Sequence, residues 1–194
     1  MTTPVSWWWV RHGPTHAKCM VGWRDVPADL SDTAAIARLS AYLPSQATVV
    51  SSDLLRAVST ADAVAGSRVR LPHQQSLREF NFGDWDGLHW NEVATCDPTL
   101  SRAFWEDPGV HQAPNGESWN QLATRVSDTV DLINTSGHHH VIAVAHFGVI
   151  LTQIARAGGM TPYAALGHKI DNLSVTRLDW DGRLWSVHSI NHQP

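Results

Sequence analysis

Cysteine is scarce in this chain: Cys19 and Cys96 are the only two among 194 residues, and neither stands in a CxxC pair or at Cys/His metal-ligand spacing. That excludes a disulfide-rich framework and reads as free thiols in a reducing compartment, with no metal expected. An excess of one charge is missing as well. Fourteen basic against eighteen acidic side chains leave a net charge of −4, which provides no general electrostatic footprint for nucleic acid or an anionic membrane. Any anionic ligand must be held locally. Long hydrophobic runs are absent too, since the apolar stretch within Met1–Val10 stops at Arg11 and no basic segment precedes it. It is neither a signal peptide nor a membrane span, so a cytoplasmic location is expected. No repeat, low-complexity tract or dividing linker interrupts the chain, and 43% hydrophobic with 16% charged residues excludes disorder as the main state. One domain spanning residues 1–194 is expected.

What is present is an α/β rhythm. Apolar runs at Val5–Val10 and Ala47–Val50 alternate with helical patterns around Asp32–Leu43 and Leu54–Ala65. In the second helix Leu54, Val58, Ala61 and Ala65 form one stripe, Asp53 or Ser52 is available as N-cap, and Arg56 lies in the first turn off that stripe. Ser118-Trp119-Asn120-Gln121 fits a capping box, followed by Leu122, Val126, Val130 and Ile133 on one face. Val141–Ala145 is a fully apolar strand, and Val149–Ala157 a helix ending at Gly158-Gly159. Leu173–Trp180 and Arg183–Ile190 read as a hairpin through Asp181-Gly182. The fold expected is therefore a three-layer α/β/α sandwich with a mixed, mostly parallel sheet and a C-terminal hairpin. Residues 83–116, rich in Trp, Pro and polar side chains, predict short helices and loops capping one rim.

In open α/β sheets ligands bind beyond the carboxyl ends of the strands. Those positions here carry Arg11-His12-Gly13, then Ser51-Ser52-Asp53 leading into Arg56, then His146-Phe147-Gly148. Singly, each group has an ordinary structural explanation. Together, two arginines and two histidines on one rim suit a dianionic phosphate, because guanidinium presents a planar fork of donors to phosphate oxygens. A helix beginning after His146 adds backbone donors.

The same residues carry a family resemblance. Arg11-His12-Gly13, the Ser51–Ala57 segment, Glu79 ahead of Phe82-Gly83-Asp84-Trp85-Asp86-Gly87, Asn115-Gly116-Glu117-Ser118 and His146-Phe147-Gly148 run in order over most of the chain. This pattern resembles the histidine phosphatase superfamily of phosphoglycerate-mutase-like proteins, and the Phe82–Gly87 stretch is similar to its α-ribazole phosphatase-like members. The resemblance implies that His12 is the nucleophile that becomes phosphorylated, that Arg11, Arg56 and His146 form the phosphate pocket, and that Glu79 donates the proton. Thr15, Lys18, Gly22 and Phe147 are the further substrate-binding candidates. A protonated Glu79 requires a pKa raised by burial.

Departures from the family pattern set the expected activity. Lys18 stands where an Asn is usual, and Val21 replaces a Thr before Gly22-Trp23-Arg24-Asp25. The stretch after Glu79 reads Phe80-Asn81-Phe82-Gly83, with Trp90 where mutases carry a Lys and only Arg102 before Trp105. A basic carboxylate clamp is missing, and an aromatic cap suits a leaving group with an apolar or planar part. The function expected is a metal-independent phosphomonoesterase without cofactor, acting on a small phosphate ester through a phosphohistidine. The alternatives are a cofactor-dependent phosphoglycerate mutase and a non-catalytic phospholigand-binding protein. Outside this set, Trp7, Trp8 and Trp9 are read as core, His138-His139-His140 as chance loop histidines, and Cys19 is given no role.

Overall fold

The structure, a computed structural model, describes residues 4–194, so the first three residues of the Met1–Val10 stretch lie outside the described residues. Six strands form one sheet: β1 (Val5–Arg11), β2 (Thr48–Ser51), β3 (Val69–Arg70), β4 (His140–Ala145), β5 (Val175–Trp180) and β6 (Trp185–His192). Their order is β3-β2-β4-β1-β5-β6. The pairs β3–β2, β2–β4 and β4–β1 are parallel, and β1–β5 and β5–β6 antiparallel. The mixed sheet with its C-terminal hairpin is as expected from the sequence.

Strand alternation divides the core between the two faces. Val5, Trp7 and Trp9 of β1, with Val141, Ala143 and Ala145 of β4, pack into the cluster that holds Leu122, Val126 and Val130 and also Val149 to Leu151. Val10, Ile142 and Val144 face the opposite cluster with Leu39, Ala57, Ala61 and Val64. The helices follow from this division. α5 (Trp119–Asn134) and α6 (Phe147–Gly158) cover the first face, while α1 (Thr33–Tyr42) and α2 (Leu55–Ala65) cover the second. Trp7 and Trp9, two residues apart on one face, stack at 5.2 Å, and Trp7 donates to Asn134 Oδ1 at 2.9 Å. Trp8 departs from the core reading. It is only half-buried, with Arg177 over its ring at 4.9 Å and Tyr42 at its edge.

Local signals set several element ends. Asp32 caps α1 through Ala35, the Ser118/Gln121 capping box opens α5, and Gly159 closes α6 in the left-handed conformation that favours glycine. α6 begins two residues earlier than its apolar pattern predicts, which makes His146 its N-cap residue. The start of α2 needs correction: its N-cap residue is Leu54, without a side-chain cap of its own. Asp53 is taken by Arg78 in a bidentate pair at 2.7 Å, and the first helical N–H, that of Leu55, is accepted by Asp25 Oδ1 at 2.7 Å. The buried stripe is also rotated, to Arg56, Ala57, Thr60, Ala61 and Val64, leaving Val58 half-buried and bringing Arg56 inside.

The stretch 83–116 folds into a 3-10 turn at Gly83–Trp85, α3 (Trp90–Cys96), α4 (Pro98–Glu106) and connecting loops. Phe104 is its hub, with Phe80, Phe82, Trp85 and Trp105 around it at 4.9–6.3 Å. α7 (Pro162–Leu166) completes the chain's helices. Among the described residues no helix is long and apolar enough to cross a membrane.

Candidate active site

Three parallel strands end at one rim. The backbone is held in register past the strand ends: His12 N–H donates to Ala145 O at 3.1 Å and Ser52 N–H to Val144 O at 3.1 Å. Arg11 is the last residue of β1, His12 follows it, and His146 follows β4. Arg56 comes up from the first turn of α2. Glu79 enters from a segment that belongs to neither helix nor strand.

His12 is buried, and its ring lies 5.1 Å from that of His146. Its Nδ1 lies 2.7 Å from the carbonyl oxygen of Gly13. A carbonyl can only accept, so Nδ1 carries the proton and Nε2 keeps its lone pair. Burial, reinforced by the Arg56 and Arg11 charges, pushes the imidazole pKa down to about 3. His12 is therefore a neutral base with one free nitrogen throughout the neutral and mildly acidic range. Asn172 Nδ2 donates to the His12 carbonyl at 2.8 Å, and Thr60 Oγ1 accepts from Gly13 N–H at 3.0 Å while donating to Arg56 O.

The tautomer of His146 follows by the same reasoning. Arg56 Nε donates to His146 Nδ1 at 3.2 Å, so Nδ1 is the acceptor and Nε2 bears the hydrogen. That Nε2 is buried and has no protein partner, as is Arg11 Nε. Burial and the neighbouring Arg56 hold the His146 pKa well below the ordinary range, so the ring is a neutral donor. Arg56, 1% exposed, directs Nη1 to Arg24 O (2.9 Å) and Nη2 to Gly22 O (2.7 Å), both neutral carbonyls. Arg11 directs Nη1 to Ile170 O at 2.6 Å and lies over the Phe147 ring at 5.6 Å. Among the described residues neither guanidinium forms a direct ion pair: Glu79 and Asp171 act on Arg11, and Glu79, Asp25 and Asp86 on Arg56, only at longer range, and burial works against both charges. The site is a positive hollow with spare donors.

Glu79 is 7% exposed, and burial raises its pKa against the opposing pull of Phe80 N–H, the arginines and Gly148 N–H. Oε1 accepts from Phe80 N–H at 2.9 Å and from Gly148 N–H at 3.0 Å. Gly148 must be glycine for this carboxyl to sit here. A Cβ there would fall 2.6 Å from Glu79 Oε1 and 2.5 Å from the Phe80 ring. Gly→Ala inside a helix ordinarily stabilises by ~1 kcal/mol, but Gly148→Ala is expected to destabilise by about 1–3 kcal/mol through overpacking. Thermal denaturation checks the sign, and an increased Tm would contradict the geometry.

The other predicted site residues separate into two groups. Phe147 lies against Arg11, and Gly22 is tied in by both backbone groups, its N–H donating to Asp86 Oδ1 and its carbonyl accepting from Arg56. Gly22 thus carries the arginine and has no free donor for a ligand. Thr15 is half-buried and Lys18 exposed, and neither makes a hydrogen bond or ion pair among the described residues. Sequence reasoning missed Asn172, Thr60 and Asp25. Asp25 stands in the Gly22-Trp23-Arg24-Asp25 motif without its capping role being evident, and no motif contains Asn172 or Thr60, because each acts on a backbone group rather than through chemistry of its own.

The family model described as histidine phosphatase superfamily (branch 1) matches residues 7–193. The adenosylcobalamin/alpha-ribazole phosphatase of Escherichia coli (strain K12) is 29% identical over 147 residues, covering 74% of this chain and 71% of that protein. The glucosyl-3-phosphoglycerate phosphatase of Mycolicibacterium vanbaalenii is 32% identical over 181 residues, covering 86% and 76%. Some relatives are longer proteins, of which the match spans as little as 46%. Among solved structures, Bacillus stearothermophilus YhfR superposes with a TM-score of 0.88 at 26% identity, covering 97% of both chains. With the family model spanning residues 7–193, nearly the whole chain, this protein belongs to the histidine phosphatase superfamily.

Proposed function

We propose that this protein is a phosphomonoesterase that hydrolyses a small phosphorylated metabolite through a phosphohistidine on His12. The observation that carries the reading is the His12 tautomer: Nδ1 is committed to Gly13 O, and Nε2 is left free beside Arg11, Arg56 and His146. In the first step Nε2 attacks phosphorus in line, the P–O bond to the leaving group breaks, and Glu79 protonates the departing alkoxide. In the second, Glu79 takes a proton from water, whose oxygen displaces phosphate from His12 and returns the nitrogen lone pair. Arg11, Arg56 and His146 supply preorganised donors to the equatorial oxygens, with Arg11 Nε and His146 Nε2 still unpartnered.

Residues 83–116 act as a cap over the leaving group in this proposal. Trp90, 58% exposed, stands at the start of α3 with its ring against His89. The Met20–Leu88 backbone hydrogen bond ties this segment to the loop after His12. Arg102, the one arginine of residues 83–116, which hold no lysine, is exposed and faces Glu106. An aromatic rim without a paired basic clamp favours a leaving group with an apolar or planar part over the carboxylate that a mutase must hold. The names of the relatives, an alpha-ribazole phosphatase and a glucosyl-3-phosphoglycerate phosphatase, support hydrolysis of esters with bulky leaving groups. The same proposal places the protein in the cytoplasm, acting on small molecules without nucleic acid or membrane as partner.

Release of phosphate from a panel of phosphorylated metabolites, including α-ribazole phosphate and sugar phosphates, tests the reading. Turnover is expected to survive a strong chelator unchanged, because the two arginines supply the charge that a metal would otherwise bring and His146 adds a neutral donor. Loss of activity on chelation would contradict metal independence. Interconversion of 2- and 3-phosphoglycerate with a bisphosphoglycerate primer would favour the mutase, and tight ester binding without turnover would favour the non-catalytic alternative.

A further inference from the structure

The carboxyl of Glu79 must be aimed, yet residues 78–82 belong to no helix or strand, so no regular hydrogen-bond ladder fixes their backbone. What holds them is a partly buried ion pair from elsewhere in the chain. Arg125, on α5, presents its whole fork: Nε to Glu117 Oε2 at 2.9 Å, Nη2 to Glu117 Oε1 at 2.6 Å, Nη1 to Ser76 O at 2.7 Å, and Nη2 also to the Glu79 carbonyl at 2.8 Å. Glu117 Oε1 additionally accepts from Asn81 N–H at 2.8 Å, and Glu117 N–H donates to Asn81 O. The two side chains are 11% and 20% exposed. The pair therefore grips the chain three residues before Glu79, at Glu79 itself, and two residues after it. Trp23 Nε1 supplies a second donor to the same Glu79 carbonyl at 2.8 Å.

We infer that Glu117 and Arg125 are positioning residues that hold Glu79 in line with the leaving-group oxygen. The inference rests on the acid role given to Glu79 above. Neither side chain touches the reacting atoms, so their loss should act only where proton donation matters. An ammonium has three donors and cannot reproduce the planar fork, so Arg125→Lys releases at least one of the four acceptors and loses the bidentate geometry. Glu117→Gln keeps the volume and turns an acceptor oxygen into a donor facing Arg125.

The test compares kcat on an alkyl phosphate with kcat on p-nitrophenyl phosphate for Arg125→Lys, Glu117→Gln and, as reference, Glu79→Gln. Both positioning variants are expected to slow the alkyl ester by ~10–100-fold, the effect of a misplacement of about an ångström. The p-nitrophenyl ester, whose leaving group needs no proton, should change by less than ~3-fold, with KM for both nearly constant. If Arg125→Lys does not fold, Trp23→Phe removes the other donor on the Glu79 carbonyl while keeping an aromatic ring beneath the Arg78 guanidinium, and should produce the same split, smaller in size. Equal losses on both esters, or no loss on either, would overturn the inference. The reference separates the causes. A split in Glu79→Gln without one in the positioning variants removes only the pair's role, whereas equal losses in Glu79→Gln remove the acid and the pair together.

Discussion

His12→Ala is expected to reduce hydrolysis of any phosphate monoester by roughly 10⁴-fold or more, the scale on which enzymes lose activity when the nucleophile of a covalent mechanism is removed. That corresponds to about 5 kcal/mol of lost transition-state stabilisation. The substitution removes the one ring nitrogen free to attack and leaves the rest of the pocket in place: Arg56 still reaches His146, and Asn172 still finds the carbonyl of residue 12. Ester binding should persist while turnover disappears. The wild-type protein, quenched during turnover, should carry an acid-labile, alkali-stable phosphoryl group that the variant lacks. Full activity in His12→Ala, or an unlabelled wild type under rapid turnover, would remove the phosphohistidine from the mechanism.

The second large effect concerns Glu79. Glu79→Gln should slow esters with poor leaving groups by roughly 10²–10⁴-fold, the usual worth of general acid–base catalysis, and esters with good leaving groups far less. The pH dependence follows from the sign of the shift. Burial raises the Glu79 pKa, so the acid form persists above the ordinary carboxyl range and is lost as pH rises through the raised value. The rate on alkyl esters should therefore fall on the alkaline side, and this limb should vanish in Glu79→Gln. His12, with its pKa pushed down to about 3, loses its free lone pair only in strong acid and imposes no limb near neutrality. An unchanged alkaline limb in Glu79→Gln would assign that titration to another group.

Glu79 was readable because it precedes a Gly-rich segment in an ordered set of motifs; its aim was not. The contacts that set its direction come from Gly148, 69 residues away, and Arg125, 46 residues away. Phosphate-pocket candidates were readable for a different reason. Parallel strands put their carboxyl ends on one rim, so Arg11, His12 and His146 meet there once the strands are recognised. Arg56 is legible through its motif but its burial is not, because helical periodicity places a polar residue off an apolar stripe and cannot foresee that the opposite loop will supply carbonyls to it.

Period-two alternation, capping boxes and terminal glycines operate over one to four residues, and those are enough to read the α/β class, the start of α5, the end of α6 and the hairpin from the chain alone. Side-chain hydrogen bonds across the fold leave no such local trace. Asn172 reaches His12 over 160 positions, Arg11 reaches Ile170 over 159, and Asp25 caps a helix 30 residues later. An asparagine or aspartate in a loop reads the same whether it faces water or holds a catalytic backbone, because only packing decides which buried donor it must satisfy. Which nitrogen of His12 is free belongs to this second kind: histidine supplies the chemistry, and the Gly13 carbonyl, oriented by the tertiary fold, selects the tautomer.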